Sequence, residues 1–244
     1  MRLRVWARWV LLAASAAVLA GCVGSPPVNG PAGALTVLAP PSLTEVMPIA
    51  VYRYETAHSA VHVQVSFGPD SQHGAAGTGD VLIVEGPTAL KGTSNPTVIA
   101  RNQLVIAVAP GDPAGIAKAA DLTRSGLRVA LCAPVEPCGV SAAAALTAAG
   151  VTLTAPTYVD DTRAALDLVR AGTADAALVY RSDATAAADK AAAVEFPESS
   201  AALTAYQAVV LPKSDNATAA RAFIDFLGTP DMRNLLANAG LQAP

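Results

Sequence analysis

This sequence predicts an α/β fold with parallel-rich sheets and helices on both faces, and two observations carry that expectation. Short apolar runs alternate with longer, Ala-rich helical patterns from residue 35 to the C-terminus. Such alternation builds strand–helix–strand crossovers, which set strands parallel and lay helices on the sheet faces. The stretch beyond Pro110 also repeats the style of the stretch before it, within 244 residues. A chain of that length supports two lobes of about 100 residues each.

The elements follow in order. Leu35–Ala39 (LTVLA) reads as a strand. Leu43–Thr56 reads as a helix, with Ser42 or Thr44 as its cap, Glu45 in its first turn and Pro48 where proline is tolerated. Val61–Phe67 alternates strictly and Val81–Val84 is short and apolar, so both read as strands. Val98–Ala109 contains the β-rich run Leu104–Ala109, closed by Pro110 and Gly111. Leu127–Cys132 is a strand, and Ser141–Ala149 is a helix ended by Gly150. Asp161–Ala171 is a helix ended by Gly172, and Ala176–Tyr180 is a buried strand. Ala205–Leu211 returns to strand, and helices Ala217–Leu227 and Pro230–Ala239 close the chain.

The N-terminus speaks to compartment. Arg2, Arg4 and Arg8 precede the apolar run Val10–Ala20, which has the order of a secretory signal peptide. The run is too short to span a bilayer, which takes roughly 20 helical residues. It ends Leu19-Ala20-Gly21-Cys22, which resembles a bacterial lipobox. That resemblance implies cleavage of residues 1–21 and a diacylglycerol on Cys22. Residues 22–33, rich in Gly, Pro and Ser, read as a tether. The expectation is a domain on the extracytoplasmic face of the cell membrane, held by lipid alone.

Composition excludes several classes. The full chain carries a net charge of −3 and has no basic block after residue 8, which argues against nucleic acid. Three Cys and three His leave little for a structural zinc or a His-based triad. No nucleophile–base pair stands out, so an enzyme is not expected. Cys132 and Cys138 stand close together, and outside the cytoplasm such a pair tends to oxidise. Two readings stay open: a disulfide pinning the loop 133–137, or two free thiols.

One string is chemically suggestive by itself. Ala39-Pro-Pro-Ser-Leu-Thr44 follows a strand and opens a helix, a place where backbone N–H groups and a hydroxyl favour an anion. Read alone, Ser42 serves equally as a helix cap. Further strings accompany it: Val65-Ser-Phe-Gly68, Gly79-Asp-Val-Leu-Ile83, Arg101–Pro110, Asp161–Asp183 and Asp225–Leu241. In this order and spacing, residues 34–242 resemble the molybdate-binding proteins of ABC importers, a type of periplasmic binding protein.

The resemblance implies a two-lobed type II fold with crossing hinge strands and a ligand cleft between the lobes. Lobe 1 is expected over 34–108 and 204–244, and lobe 2 over 109–203. The ligand would be a small oxyanion, molybdate or tungstate, with no cofactor and no metal. Partners would be an ABC permease and its ATPase, and the binding subunit itself a monomer. By position, Ser42 and Tyr180 supply hydroxyl donors, and Cys138 and Thr162 supply backbone N–H donors. Where the family has Ser-Ser after Phe-Gly, this chain has Pro69-Asp70-Ser71. Asp70 therefore either faces the ligand or caps the turn and leaves Ser71 as donor. That departure also motivates a second reading, a binding-fold lipoprotein with a changed or lost ligand.

Overall fold

In the computed structural model the described residues are 33–69, 78–86 and 95–244. Among them the elements run β1 (Gly33–Ala39), α1 (Met47–Ala57), β2 (Val61–Phe67), β3 (Val81–Glu85), β4 (Thr97–Asn102), β5 (Leu104–Val108), β6 (Val129–Cys132) and α2 (Pro137–Ala148). They continue with β7 (Thr157–Val159), α3 (Thr162–Arg170), β8 (Ala176–Tyr180), α4 (Arg181–Ala186), β9 (Ala192–Val194), β10 (Thr204–Val210), α5 (Ala217–Leu227) and α6 (Pro230–Asn238). Cys22, Asp70 and Ser71 lie outside the described residues. No helix among the described residues is long and apolar enough to cross a membrane.

Two five-stranded sheets form, ordered β2-β1-β3-β10-β4 and β7-β6-β8-β5-β9. The first three strands of each sheet pair in parallel. The fourth strand runs antiparallel to both its neighbours. The sheets are therefore mixed. Only a helical crossover forces a strand to run parallel to its predecessor. β5 and β10 arrive from the other lobe without one, so they are free to reverse.

β5 belongs to the second sheet, where it pairs with β8 and β9. The expected boundary, with residues up to 108 in lobe 1, is therefore corrected: the crossing lies at Gln103. The physical reason is local. Residues 97–108 read as one continuous β pattern, and the break is a single residue whose N–H bonds Asn102 Oδ1 (3.0 Å).

Helix starts also differ from expectation in instructive ways. The segment Pro41–Leu43 winds as a 3-10 turn, and α1 begins only at Met47, with Pro48 in its first turn. Val46 is its N-cap and no side chain caps it, so the Ser42 hydroxyl is released for other work. α2 starts at Pro137, earlier than the expected Ser141, because a proline at the first position has its φ preset. Asp161 caps α3 by accepting from Ala164 N (2.8 Å).

Each lobe has its own apolar core. In the first, Leu35, Val37, Val63 and Ile83 of the sheet pack under α1 and the returning α5 and α6. Tyr54 meets Phe223 edge-on at 5.0 Å there. In the second, Ile106, Leu131 and Leu178 cover one face of the sheet. Val105, Leu166 and Val179 pack on the other. Each such side chain contributes about 1.5–3 kcal/mol on burial.

A disulfide joins Cys132 to Cys138 (Cα–Cα 5.7 Å), tying the end of β6 to the first turn of α2. Gly139 completes this corner. A Cβ there would collide with the Ala133 carbonyl oxygen, so the position admits no other residue without backbone movement.

Candidate functional site

The parallel strands of both sheets send their carboxyl ends to the junction between the lobes. Ser42 follows β1, Glu85 ends β3 and Tyr180 ends β8; all three are buried. Ser42 Oγ donates to Glu85 Oε1 (2.5 Å), and the Tyr180 hydroxyl donates to Glu85 Oε2 (3.0 Å). One carboxylate thus takes a hydroxyl from each lobe on its two oxygens. Hydrogen bonds to an ionised acceptor are roughly twice as strong as neutral ones.

A wider polar network backs this contact. Ser42 Oγ lies 2.8 Å from the Tyr206 hydroxyl, which accepts from Asn102 Nδ2 (3.1 Å). Asn102 also donates to Ser182 Oγ (2.8 Å). Thr204 Oγ1 lies 3.2 Å from the Tyr180 hydroxyl and 2.8 Å from Ser141 Oγ. Tyr206 is aimed by a register irregularity between Tyr206 and Gln207 in the β10–β4 pairing. Burial first, and then the charge of Glu85, raise the Tyr180 and Tyr206 hydroxyls well above the ordinary tyrosine range. Both phenols therefore stay protonated and act as donors.

Two helix starts from the second lobe border the junction. Ser141 in the first turns of α2 reaches Thr204, and a Cβ on Gly86 would sit 3.7 Å from Pro137 Cβ. α3 packs against the turn that carries Ser42. Cys138 is the second residue of α2 and Thr162 the first of α3. The N–H groups of a helix's first turn have no intrahelical acceptor by construction. The Thr162 side chain is used elsewhere: its hydroxyl donates to Asp183 Oδ2 (2.7 Å).

Asp183 is fully buried in the first turn of α4, and burial pushes its carboxyl up to about 6. The Thr162 hydroxyl and Arg163 oppose that rise without cancelling it. Oδ1 has no hydrogen bond and sees only Arg163 Nη1 at 3.6 Å. Arg163 Nη2 reaches across the lobes to Glu45 Oε1 (2.8 Å). A groove lined by Ser42, Glu45, Ile49, Ser182, Thr185 and Asn238 opens beside this bridge.

The structure thus brings Ser42 and Tyr180 onto one group and sets Cys138 and Thr162 at the adjoining helix starts. Sequence reasoning misses Glu85, Asn102, Thr204 and Tyr206. Glu85 carries a usable signal: a charged residue ending the apolar run Val81–Val84 falls at the carboxyl edge of its sheet. The expected strand stops one residue short of it. The remaining polar candidates do not assemble. His58 stacks on Tyr54 at 4.2 Å, whereas His62 pairs with Glu55. No metal-holding group of acids, His and Cys is present among the described residues.

Comparisons with known proteins place the family and the fold. The family model described as bacterial extracellular solute-binding protein matches residues 35–242. The molybdate-binding protein ModA of Mycobacterium tuberculosis H37Rv is 30% identical, over 97% of this chain and 100% of that protein. The periplasmic molybdate-binding protein of Azotobacter vinelandii superposes with a TM-score of 0.70 at 18% identity, over 86% of this chain and 99% of that one. The substrate-binding domain of a putative molybdenum ABC transporter from Clostridium difficile gives 0.64 at 23% identity, over 86% and 99%. The fold is the two-lobed α/β type II fold of periplasmic binding proteins.

Proposed function

The chain belongs to the bacterial extracellular solute-binding proteins as a ModA-like member, and from that premise we propose that it is the binding subunit of an ABC importer for a small oxyanion of the molybdate or tungstate type. The observation that carries the reading is the meeting of Ser42 and Tyr180, from opposite lobes, on a single carboxylate. Neutral donors converging from two lobes accept an oxyanion in the same way and complete their set only when the lobes meet. The first-turn N–H groups of Cys138 and Thr162 would add donors at helix N-termini, where the dipole favours negative charge. Asp70 and Ser71 join the ligand side on the sequence argument alone.

In this reading the protein performs no chemistry and needs no cofactor or metal. Closure of the lobes around the anion presents one shape to a membrane permease, which works with a cytoplasmic ATPase. The protein acts as a monomer, anchored through lipid on Cys22 at the extracytoplasmic face of the cell membrane. Substituting Cys22→Ser is expected to release the chain from membranes or block its processing. Fractionation that finds an unchanged, lipid-labelled membrane product would remove the anchor.

The ligand is tested by thermal unfolding of the purified chain against molybdate, tungstate and sulfate. A ligand at 100 times its dissociation constant adds about 2.7 kcal/mol of stability. Absence of any shift at millimolar concentration overturns the oxyanion reading.

A further inference from the structure

We propose that Glu85 is a built-in carboxylate ligand: it fills the anion cradle between the lobes, and an incoming oxyanion binds only by displacing it. The inference rests on the reading above and deepens it by naming the residue that sets affinity and selects the ligand's charge.

The geometry carries the argument. Glu85 ends β3, one strand from the Ser42 turn, so its carboxylate reaches the junction from the first lobe. Its Oε1 takes the Ser42 hydroxyl and its Oε2 takes the Tyr180 hydroxyl. These are the same two side chains that the family resemblance assigns as hydroxyl donors to the ligand. Tyr206 and then Asn102 stand behind Ser42, and Thr204 stands beside Tyr180, so both donors to Glu85 are backed by further polar groups. A carboxylate and a tetrahedral oxyanion demand the same thing of a site, namely neutral O–H and N–H donors. Both cannot hold Ser42 and Tyr180 at once, and two anions in contact repel. The contact also joins the lobes, since Glu85 and Ser42 belong to the first and Tyr180 to the second. It therefore substitutes for ligand in holding them together.

The sequence leaves Asp70 either facing the ligand or capping its turn, and that residue lies outside the described ones. Among the described residues, the acid that takes both the Ser42 and the Tyr180 hydroxyl is Glu85. A site of this kind takes a dianion weakly as long as the Glu85 carboxylate holds its donors.

The experiment compares the dialysed native chain with Glu85→Ala and Glu85→Gln by calorimetry, using molybdate and formate as probes. Removal of the carboxylate should tighten molybdate binding at least tenfold in Glu85→Ala. It should also create a formate site that the native chain lacks, since formate restores the missing group. Glu85→Gln, which keeps the side chain's size, should bind molybdate more tightly than the native chain and serves if Glu85→Ala does not fold. Equal molybdate affinity in native and variant chains overturns the inference and leaves the oxyanion function standing. Formate binding by Glu85→Ala with no oxyanion bound by any chain supports the inference and overturns the oxyanion function. A folded Glu85→Ala chain that takes neither probe overturns the inference.

Discussion

Glu85 of the first lobe and Asp183 of the second are both buried carboxylates, and the two are treated very differently. Glu85, at the end of β3, receives a hydroxyl on each oxygen, one from either lobe. Asp183, just after β8, receives one hydroxyl from Thr162 and leaves Oδ1 with only Arg163 at 3.6 Å. The strand ends themselves correspond, because β3 and β8 hold the same place in sheets of the same order. One presents an acid there and the other a phenol, Tyr180. Matching topology thus supplies matching positions, and the side chains decide which position donates and which accepts. A satisfied buried acid ties two elements together, whereas an under-satisfied one costs stability whenever it is charged.

The largest expected effect breaks the frame that holds the second-lobe side. Gly139→Ala drives a methyl group into the Ala133 carbonyl, within the corner already closed by the Cys132–Cys138 disulfide. Backbone must move, at a cost of about 3 kcal/mol or more. Urea unfolding is the measurement, and an unchanged midpoint would show the corner to be softer than its contacts indicate.

The next effect isolates Asp183. Its folded-state carboxyl is raised to about 6 from 3.8, so the folded chain binds this proton more readily than the unfolded chain. The stability it supports is present in full below 3.8 and is lost as pH rises through about 6. Charging the buried acid removes about 3 kcal/mol over that window. Asp183→Asn does not titrate. The native chain should therefore gain stability relative to the variant as pH falls from about 7.5 to about 4, the range that brackets this titration. A gap that stays constant across denaturation curves in that range would contradict the assignment.

A smaller effect sharpens the contrast between the two strand ends. Tyr180→Phe takes one donor from Glu85 and makes that acid resemble Asp183. The expected loss is about 1.5–3 kcal/mol of stability at neutral pH, as for a hydrogen bond to a charged group. Urea unfolding of the native and variant chains reads this loss, and equal midpoints would show that the hydrogen bond adds no stability.

By itself the sequence determined the class of fold and most strand positions. These follow from local patterns. Val61–Phe67 alternates with the sheet's own period, and Gly150 and Gly172 stop helices by backbone freedom that only glycine has. The motif around Ser42 and the end of the strand at Tyr180 were legible too, because strand ends in parallel sheets face one edge. Tertiary structure decided the rest. The crossing at Gln103 is invisible in a continuous β run, and the reversal of β5 and β10 depends on which sheet receives them. It also decided that Ser42 meets Glu85 rather than capping a helix, a contact between residues 43 positions apart. Local pattern cannot show which acid fills a cradle, since that depends on two lobes closing on each other.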